Sequence, residues 1–314
     1  MSKYKFILAV LLLAGLASCK KDFMDRFPQT SIPPDLFFNT EEDLSLYING
    51  LLTMPGRGQY LGDQDTDDKA TTGAVEVKSL ISGSPSSQTI TSGWSWSRLR
   101  NINYFLQNYS KAQVAQEVKD HYAGLARFYR AEFYMEKVKR YSDVPWYSTT
   151  INPNDQEQLY KPRDKRALVI DSLMADLAFA SEHVRADVPA GTPGKWVVKQ
   201  VFARHALYEG TFRRYHPELA LAGTAAAYFT IAAQQANDVI ASAQFAVHNT
   251  GNPAADYASL FNSASLASNR EVLLANIYDQ DLGRNGNNNS NIIDYEMSPS
   301  RDLVQEYLMK DGSR

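Results

Sequence analysis

The sequence predicts a mostly α fold made of tetratricopeptide-like helical hairpins with long irregular loops. Three observations lead there. Apolar residues recur at spacings of three and four through successive stretches of the chain. Strand-like signals are scarce, the best being Glu271 to Ile277. One late stretch carries alanine at most of its contact positions, which lets helix axes approach closely, as in stacked helical hairpins. Helices of this size joined by short turns suit a solenoid, although no Trp-Leu-Gly-Tyr repeat signature recurs.

The elements follow in chain order. Thr40 opens a helix, with Asp43 three residues later as its capping-box partner. Leu44, Tyr47, Ile48 and Leu51 give that helix one apolar face, and Met54-Pro55-Gly56 ends it. Residues 55–93 are rich in Gly, Ser and Thr and keep no period, so they form a functional surface or a disordered loop. Helical spacing resumes after Gly93 with Leu99, Ile102, Leu106 and Tyr109. The strongest stripe runs Val114, Val118, Tyr122, Leu125, Tyr129, Phe133 and stops at Tyr141-Ser142-Asp143-Val144-Pro145. A polar connection at 146–164 leads to a helix bearing Ile170, Leu173, Leu177, Ala180 and Val184. Gly191, Pro193 and Gly194 break the chain before a helix from about Val197 to Tyr215. The last strong stretch shows Phe229, Ala232, Ala233, Ala236, Val239, Ile240 and Ala243 on one face.

The first residues carry a secretory signal. Lys3 and Lys5 form its positive region, and Phe6 to Leu16 its apolar one. At about eleven residues the apolar run is too short to span a bilayer, which needs about 20. Leu16-Ala17-Ser18-Cys19 closes the segment in the order of a bacterial lipobox. Cys19 is the only cysteine of the 314 residues, so no internal disulfide and no thiol cluster for metal can form. Lipidation of Cys19 is therefore expected, with several acyl chains holding the protein to the membrane at about 0.8 kcal/mol per buried methylene. The expected organisation is a signal peptide at 1–18, a Pro-interrupted lipidated tether at 19–39, and a helical domain at 40–314. Lys20 after the cysteine lacks the Asp that retains lipoproteins at the inner membrane in some bacteria, which tilts the location toward a lipid-anchored, surface-exposed place on the cell outer membrane.

Charge narrows the partners. Losing Lys3 and Lys5 leaves 30 basic against 35 acidic residues, a net charge near −5. A mildly acidic body does not suit phosphate neutralisation, so nucleic acid is not an expected partner. The 18 Tyr, 14 Phe and 4 Trp suit cores, interfaces and sugar-binding surfaces alike.

Several segments in order resemble the SusD/RagB family, the surface glycan-binding lipoproteins of Bacteroidetes. They are Ser18-Cys19-Lys20-Lys21-Asp22-Phe23-Met24-Asp25, then Ala126-Arg127-Phe128-Tyr129-Arg130-Ala131-Glu132-Phe133-Tyr134 leading to Arg140-Tyr141-Ser142-Asp143-Val144-Pro145. Lys161-Pro162-Arg163 follows, before the helix with Ile170-Asp171-Ser172-Leu173-Met174-Ala175-Asp176-Leu177. Asp256-Tyr257-Ala258-Ser259-Leu260-Phe261-Asn262, Asn269-Arg270-Glu271-Val272-Leu273-Leu274, Pro299-Ser300-Arg301-Asp302-Leu303-Val304 and Met309-Lys310-Asp311-Gly312 complete the set. Each is weak alone, and their order over nearly the whole chain carries the resemblance. Members continue well past the Lys310-Asp311-Gly312 segment, so the chain is expected to lack the family's C-terminal portion. The resemblance implies a protein without catalytic chemistry or cofactor. It would cap a SusC-like TonB-dependent transporter, capture oligosaccharide at the cell surface, deliver it to the pore, and pack on the transporter through its helices.

The candidate glycan-binding residues are Trp94, Trp96, Arg98, Asn101 and Tyr295. A sugar's C–H face stacks on an indole ring, and Arg98 and Asn101 are placed to reach its hydroxyls. The competing reading is that one or both tryptophans anchor the following helix in the core. Trp196 is expected to pack at a helix start. Asp63, Asp65, Asp67 and Asp68 alternate like a calcium loop, but Asp68 and Ala74 stand where an EF-hand needs Gly and Glu, so a solvated acidic loop is the reading. Lys137, Lys139 and Arg140 complement the negative end of their helix. His121, His183, His205, His216 and His248 show no metal spacing, and His205 is expected in the core or at its edge. No Gly-x-Ser-x-Gly elbow or phosphate loop occurs. The Asn- and Gly-rich tract 283–291 reads as a flexible loop. A protein-interaction scaffold with no sugar site is the alternative function. A glycosidase, which needs two facing carboxylates about 5 to 10 Å apart, ranks third.

Overall fold

A computed structural model describes residues 37–53, 66, 68–70, 83, 86, 92–266, 268–278, 298–309 and 311–313. The signal peptide with Cys19, most of the acidic loop, the 283–291 tract and Tyr295 lie outside the described residues. The helices are α1 (Glu41–Leu51), α2 (Ser97–Asn108), α3 (Gln116–Tyr141), α4 (Gln156–Leu159), α5 (Arg166–His183), α6 (Lys195–Tyr215), α7 (Ala225–Ala241), α8 (Pro253–Asn262) and α9 (Arg301–Glu306). A two-residue antiparallel pair joins β1 (Lys69–Ala70) to β2 (Ser298–Pro299). Along this row, α1 and α2 pack on α3, α3 on α5, α5 on α6, and α6 on α7.

Local chemistry sets the helix ends. Thr40 and Asp43 form the reciprocal capping box expected of them, with Asp43 N donating to Thr40 Oγ1 at 3.2 Å and Thr40 N to Asp43 Oδ2 at 2.9 Å. Helix α5 takes its cap from a distant residue: the Arg166 amide donates to Asp143 Oδ1 at 2.8 Å. Ser142, just past the end of α3, has φ 60 and ψ −85, and lies where the chain turns sharply into Asp143-Val144-Pro145.

The 26-residue α3 is the axis of the core. Its central part, His121 to Ala126, Phe128 to Ala131 and Phe133 to Met135, is buried on nearly all sides, because α1 and α2 cover one side and α5 covers another. Gly210 lets α6 and α7 approach: a Cβ there would stand 2.8 Å from the Phe229 ring and 3.2 Å from the Ala225 carbonyl oxygen. Two expectations need correction. Glu271 to Ile277 forms no strand and is irregular. In α7, Ala225, Tyr228, Ala232 and Val239 are buried, whereas Ile240 is 76 % exposed. The apolar stripe of α7 is wider than the face that α6 covers.

Charge is also buried. Glu209, fully buried, accepts from Arg166 Nη2 at 2.6 Å and from Arg213 Nε at 2.8 Å. The two guanidinium groups lie over Phe212 (3.7 Å) and Tyr228 (4.3 Å). One carboxylate thus ties α5 to α6, and Arg213 extends the network to Thr224 at 2.7 Å. Removing one partner of such a cluster strands buried charge. Glu209→Gln is expected to lower stability by about 3 kcal/mol in urea unfolding.

His121 is 4 % exposed and its Nδ1 accepts from the Arg185 amide at 3.1 Å. Burial, then the charge of Arg185, lowers its pKa to about 4, against an opposing pull from Glu41. The unfolded chain therefore binds this proton more tightly. The stability from His121 is present above the unfolded value of about 6.5 and is lost as pH falls toward 4. Urea midpoints should fall across that window by the equivalent of about 3 kcal/mol, and His121→Gln should flatten the profile.

Candidate functional site

A groove of about 830 Å³ opens between the start of α2 and the connection from Pro145 to Arg163. From the first side come Trp94, Trp96, Ser97, Leu99, Arg100 and Asn103. The second contributes Tyr147, Tyr160, Lys161 and Arg163, with Pro145, Pro153 and Pro162 stiffening the wall.

The end of α3 fixes the tryptophan segment. Arg140 donates from Nε to the Ser92 carbonyl at 2.9 Å and from Nη2 to Ser92 Oγ at 2.7 Å. Tyr141 Oη also donates to the Ser92 carbonyl, and Lys137 Nζ to that of Gly93. Gly93 has φ +81, and a Cβ there would meet Arg140 Cδ at 3.2 Å, so the turn needs glycine twice over. The basic cluster assigned to the helix dipole thus has a more specific task in Lys137 and Arg140, while Lys139 pairs with Glu136 at 3.1 Å.

Trp94 is 39 % exposed and sits edge-on to Trp96 (5.1 Å between centroids) and Tyr141 (4.7 Å). The guanidinium of Arg163 lies 4.9 Å from the Trp94 ring centroid. Trp96 is half-buried against Phe133, Tyr134 and Tyr147, so it anchors α2 and also lines the groove. Of the two tryptophans, Trp96 packs, and Trp94 stands at the opening.

A polar row on α2 pins the opposite wall. Arg100 Nη1 donates to the Ile151 carbonyl at 3.1 Å, and Asn103 Nδ2 to those of Tyr147 (2.9 Å) and Thr149 (3.1 Å). Gln107 Oε1 accepts from Thr150 Oγ1 at 2.6 Å. These positions are three and four apart and share a helix face. Arg130 supports Asn103 from below, donating to its Oδ1 at 3.2 Å and to the Ser148 carbonyl at 3.2 Å. Arg130 itself makes a two-pronged pair with Asp176, Nε to Oδ2 at 2.6 Å and Nη2 to Oδ1 at 2.8 Å. From α3, Tyr134 Oη accepts from the Tyr147 amide at 2.6 Å, and burial raises its pKa, so it remains a neutral hydroxyl.

Arg98 and Asn101 do not line this groove. Arg98 turns inward, donates to the Leu51 carbonyl at 3.4 Å and lies 5.9 Å over the Tyr129 ring. Burial lowers its pKa, against the pull of Glu132 and Tyr129. Asn101 is exposed on another face of α2, and its carbonyl accepts from Tyr47 Oη at 3.1 Å. The groove brings in Arg100, Asn103, Tyr147, Tyr160 and Arg163, which sequence reasoning did not single out as ligand contacts. Helical phase from Trp96 was the available signal, since it selects Arg100 and Asn103 over Arg98 and Asn101.

Among the other residues read from sequence, His205 is buried and its Nε2 pairs with Glu132, while Trp196 is half-buried in the first turn of α6. Among the described residues, no three His, Cys, Asp or Glu side chains gather as metal ligands, and no helix is long and apolar enough to cross a membrane.

No family model matches the chain, and no curated protein matches it by sequence. Solved structures do match. A SusD-like carbohydrate-binding protein from Bacteroides fragilis NCTC 9343 superposes with a TM-score of 0.67 at 17 % identity, covering 88 % of this chain and 55 % of that one. A second SusD-like protein from the same strain gives 0.61 at 20 % identity, over 83 % and 49 %. B. fragilis NanU gives 0.58 at 16 % identity, over 81 % and 51 %. The chain has the SusD-like fold, mostly α and tetratricopeptide-like, and spans about half the length of the structures it matches.

Asn103→Leu keeps the shape of the side chain but leaves the Tyr147 and Thr149 carbonyls without their donor. A loss of about 2 kcal/mol is expected in urea unfolding. Faster amide hydrogen exchange over 147–151 should accompany it.

Proposed function

We propose that this chain is a SusD/RagB-type outer-membrane lipoprotein of a Bacteroidetes bacterium, anchored through a lipid on Cys19. In this reading it captures oligosaccharide at the cell surface and delivers it to a SusC-like TonB-dependent transporter, and it performs no catalysis. The observation that carries the reading is the aromatic groove at the head of α2, set in a SusD-like frame. Trp94 and the 80 % exposed Tyr160 offer ring surface to solvent, while Tyr147 and Trp96 form the interior. Rings of this kind accept the apolar C–H face of a pyranose while carbonyls and amides at the rim meet its hydroxyls. The name of the B. fragilis carbohydrate-binding structure supports a sugar ligand for this frame. The lipobox around Cys19 supports the anchor.

A specific observation also favours docking through the helices. Tyr257, Phe261, Tyr307, Leu308 and Met309 are each more than 60 % exposed. Of these, Tyr257 and Phe261 adjoin on α8, with ring centroids 5.2 Å apart, and a contiguous exposed apolar face of this kind suits contact with protein. Capture of sugar and docking on a transporter are compatible, whereas the scaffold reading, with no sugar site, stays the alternative to the first.

Native affinity electrophoresis of the full chain in mild detergent, through gels cast with a panel of polysaccharides, tests the sugar site. At least one polysaccharide should retard the protein, and Trp94→Ala should weaken that retention about tenfold, or about 1.4 kcal/mol. Trp94 is the proper target because Trp96 is packed into the core. Undiminished retention by the Trp94→Ala protein would move the site elsewhere, and released reducing sugar would point to an enzyme.

A further inference from the structure

Among the described residues, every charged side chain that lines the groove is basic: Arg100, Lys161 and Arg163. Among the described residues no carboxylate lines it, although the chain as a whole carries 35 acidic against 32 basic residues. The three cations differ in what they have left to give. Lys161 is neutralised by Asp164 at 2.7 Å and donates to the Trp146 carbonyl at 2.9 Å. Arg100 spends one Nη on the Ile151 carbonyl and has no carboxylate partner among the described residues. Arg163 has neither hydrogen bond nor ion pair among the described residues. Its only described contacts are with rings, Trp94 at 4.9 Å and Tyr141 at 6.0 Å.

A guanidinium laid on an indole is held by its face, and its N–H edge stays free to donate in the plane. That edge matches the two oxygens of a carboxylate and forms a bidentate pair. The stacking also restricts the side chain beforehand, so less rotamer freedom is lost when an anion arrives. A neutral sugar can offer hydroxyl acceptors to that edge but no opposite charge, so the bond it forms is weaker. Arg163 moreover occupies ring surface on Trp94, which leaves less of it to a neutral pyranose.

We infer that the groove selects acidic glycans, with Arg163 as the residue that reads the anionic group and Arg100 adding positive potential beside it. The anion is a uronate-type carboxylate or a sulfate ester on the sugar, and the planar fork of Arg163 favours the carboxylate. The inference rests on the glycan-binding reading above and adds the ligand class to it.

Paired probes separate the two. The full chain in mild detergent is titrated with polygalacturonate and its methyl ester, which share a backbone and differ in charge, and with dextran sulfate and dextran. Binding to polygalacturonate about tenfold tighter than to the ester, weakening as salt rises, is the expected result. Arg163→Gln should remove most of that preference while leaving the weaker binding to the ester in place, and Arg163→Lys should restore part of it. Arg163 is exposed, so these variants should keep the parent's helical circular dichroism. A preference for dextran sulfate over dextran, equally sensitive to Arg163→Gln, would identify the sulfate ester as the group read. Equal binding to acid and ester, or an acid preference indifferent to Arg163→Gln, would overturn the inference and leave glycan binding intact. Absence of binding to every probe here and to the neutral panel would overturn the reading beneath it.

Discussion

The Arg130–Asp176 pair, nearly buried and closed by two hydrogen bonds, is the constraint around which the groove is organised. Taking both charges out of water costs several kcal/mol each, and attraction repays this only when the remaining donors are used. Arg130 uses its Nη1 on Asn103 and on the Ser148 carbonyl, and so the cost of burial is offset through the wall of the groove. Asn103 passes the constraint on to the carbonyls of Tyr147 and Thr149. A loop that would otherwise satisfy its backbone with water is held in one course by a charge whose partner sits on another helix. The same logic recurs at Glu209, where one carboxylate binds two arginines and unites α5 with α6.

These networks explain why particular segments stand out in the sequence. Arg130 belongs to Ala126–Tyr134 and Asp176 to Ile170–Leu177, two of the stretches that carry the resemblance, and they meet in space across 46 residues of chain. Asp143, from the Asp-Val-Pro turn, caps α5. Lys161 and Arg163, from the Lys-Pro-Arg segment, line the groove. Residues that seem to be scattered polar marks along helices are therefore the connections between them.

Much of the fold was legible because it rests on local rules. The Thr40–Asp43 box and the 3-4-3 spacing of Leu99, Ile102, Leu106 and Tyr109 need no tertiary knowledge, although it is Phe105 rather than Leu106 that is fully buried. The errors have tertiary causes. Glu271 to Ile277 has a strand-like apolar run but pairs with no strand among the described residues, so the pattern alone could not make it one. In α7, hydrophobicity exceeds what α6 covers, so Ile240 reads as core and stands in solvent. Helix α8 was not singled out in the sequence, and of its ten residues only Asp256 is buried, so its apolar side chains face outward rather than into the core. The groove was half legible. Trp94 and Trp96 drew notice by type, but its far wall comes from a connection about 50 residues later, and nothing local announces that pairing.

The turn at Ser92 and Gly93 bears on how this surface can diversify. Its carbonyls are clasped by Lys137, Arg140 and Tyr141, all from the last turns of the longest helix. The indole beside it therefore takes its address from the most deeply buried helix of the domain. Replacements at Lys137 or Arg140 can therefore shift that ring without touching it, so this surface can change through the helix end that holds it.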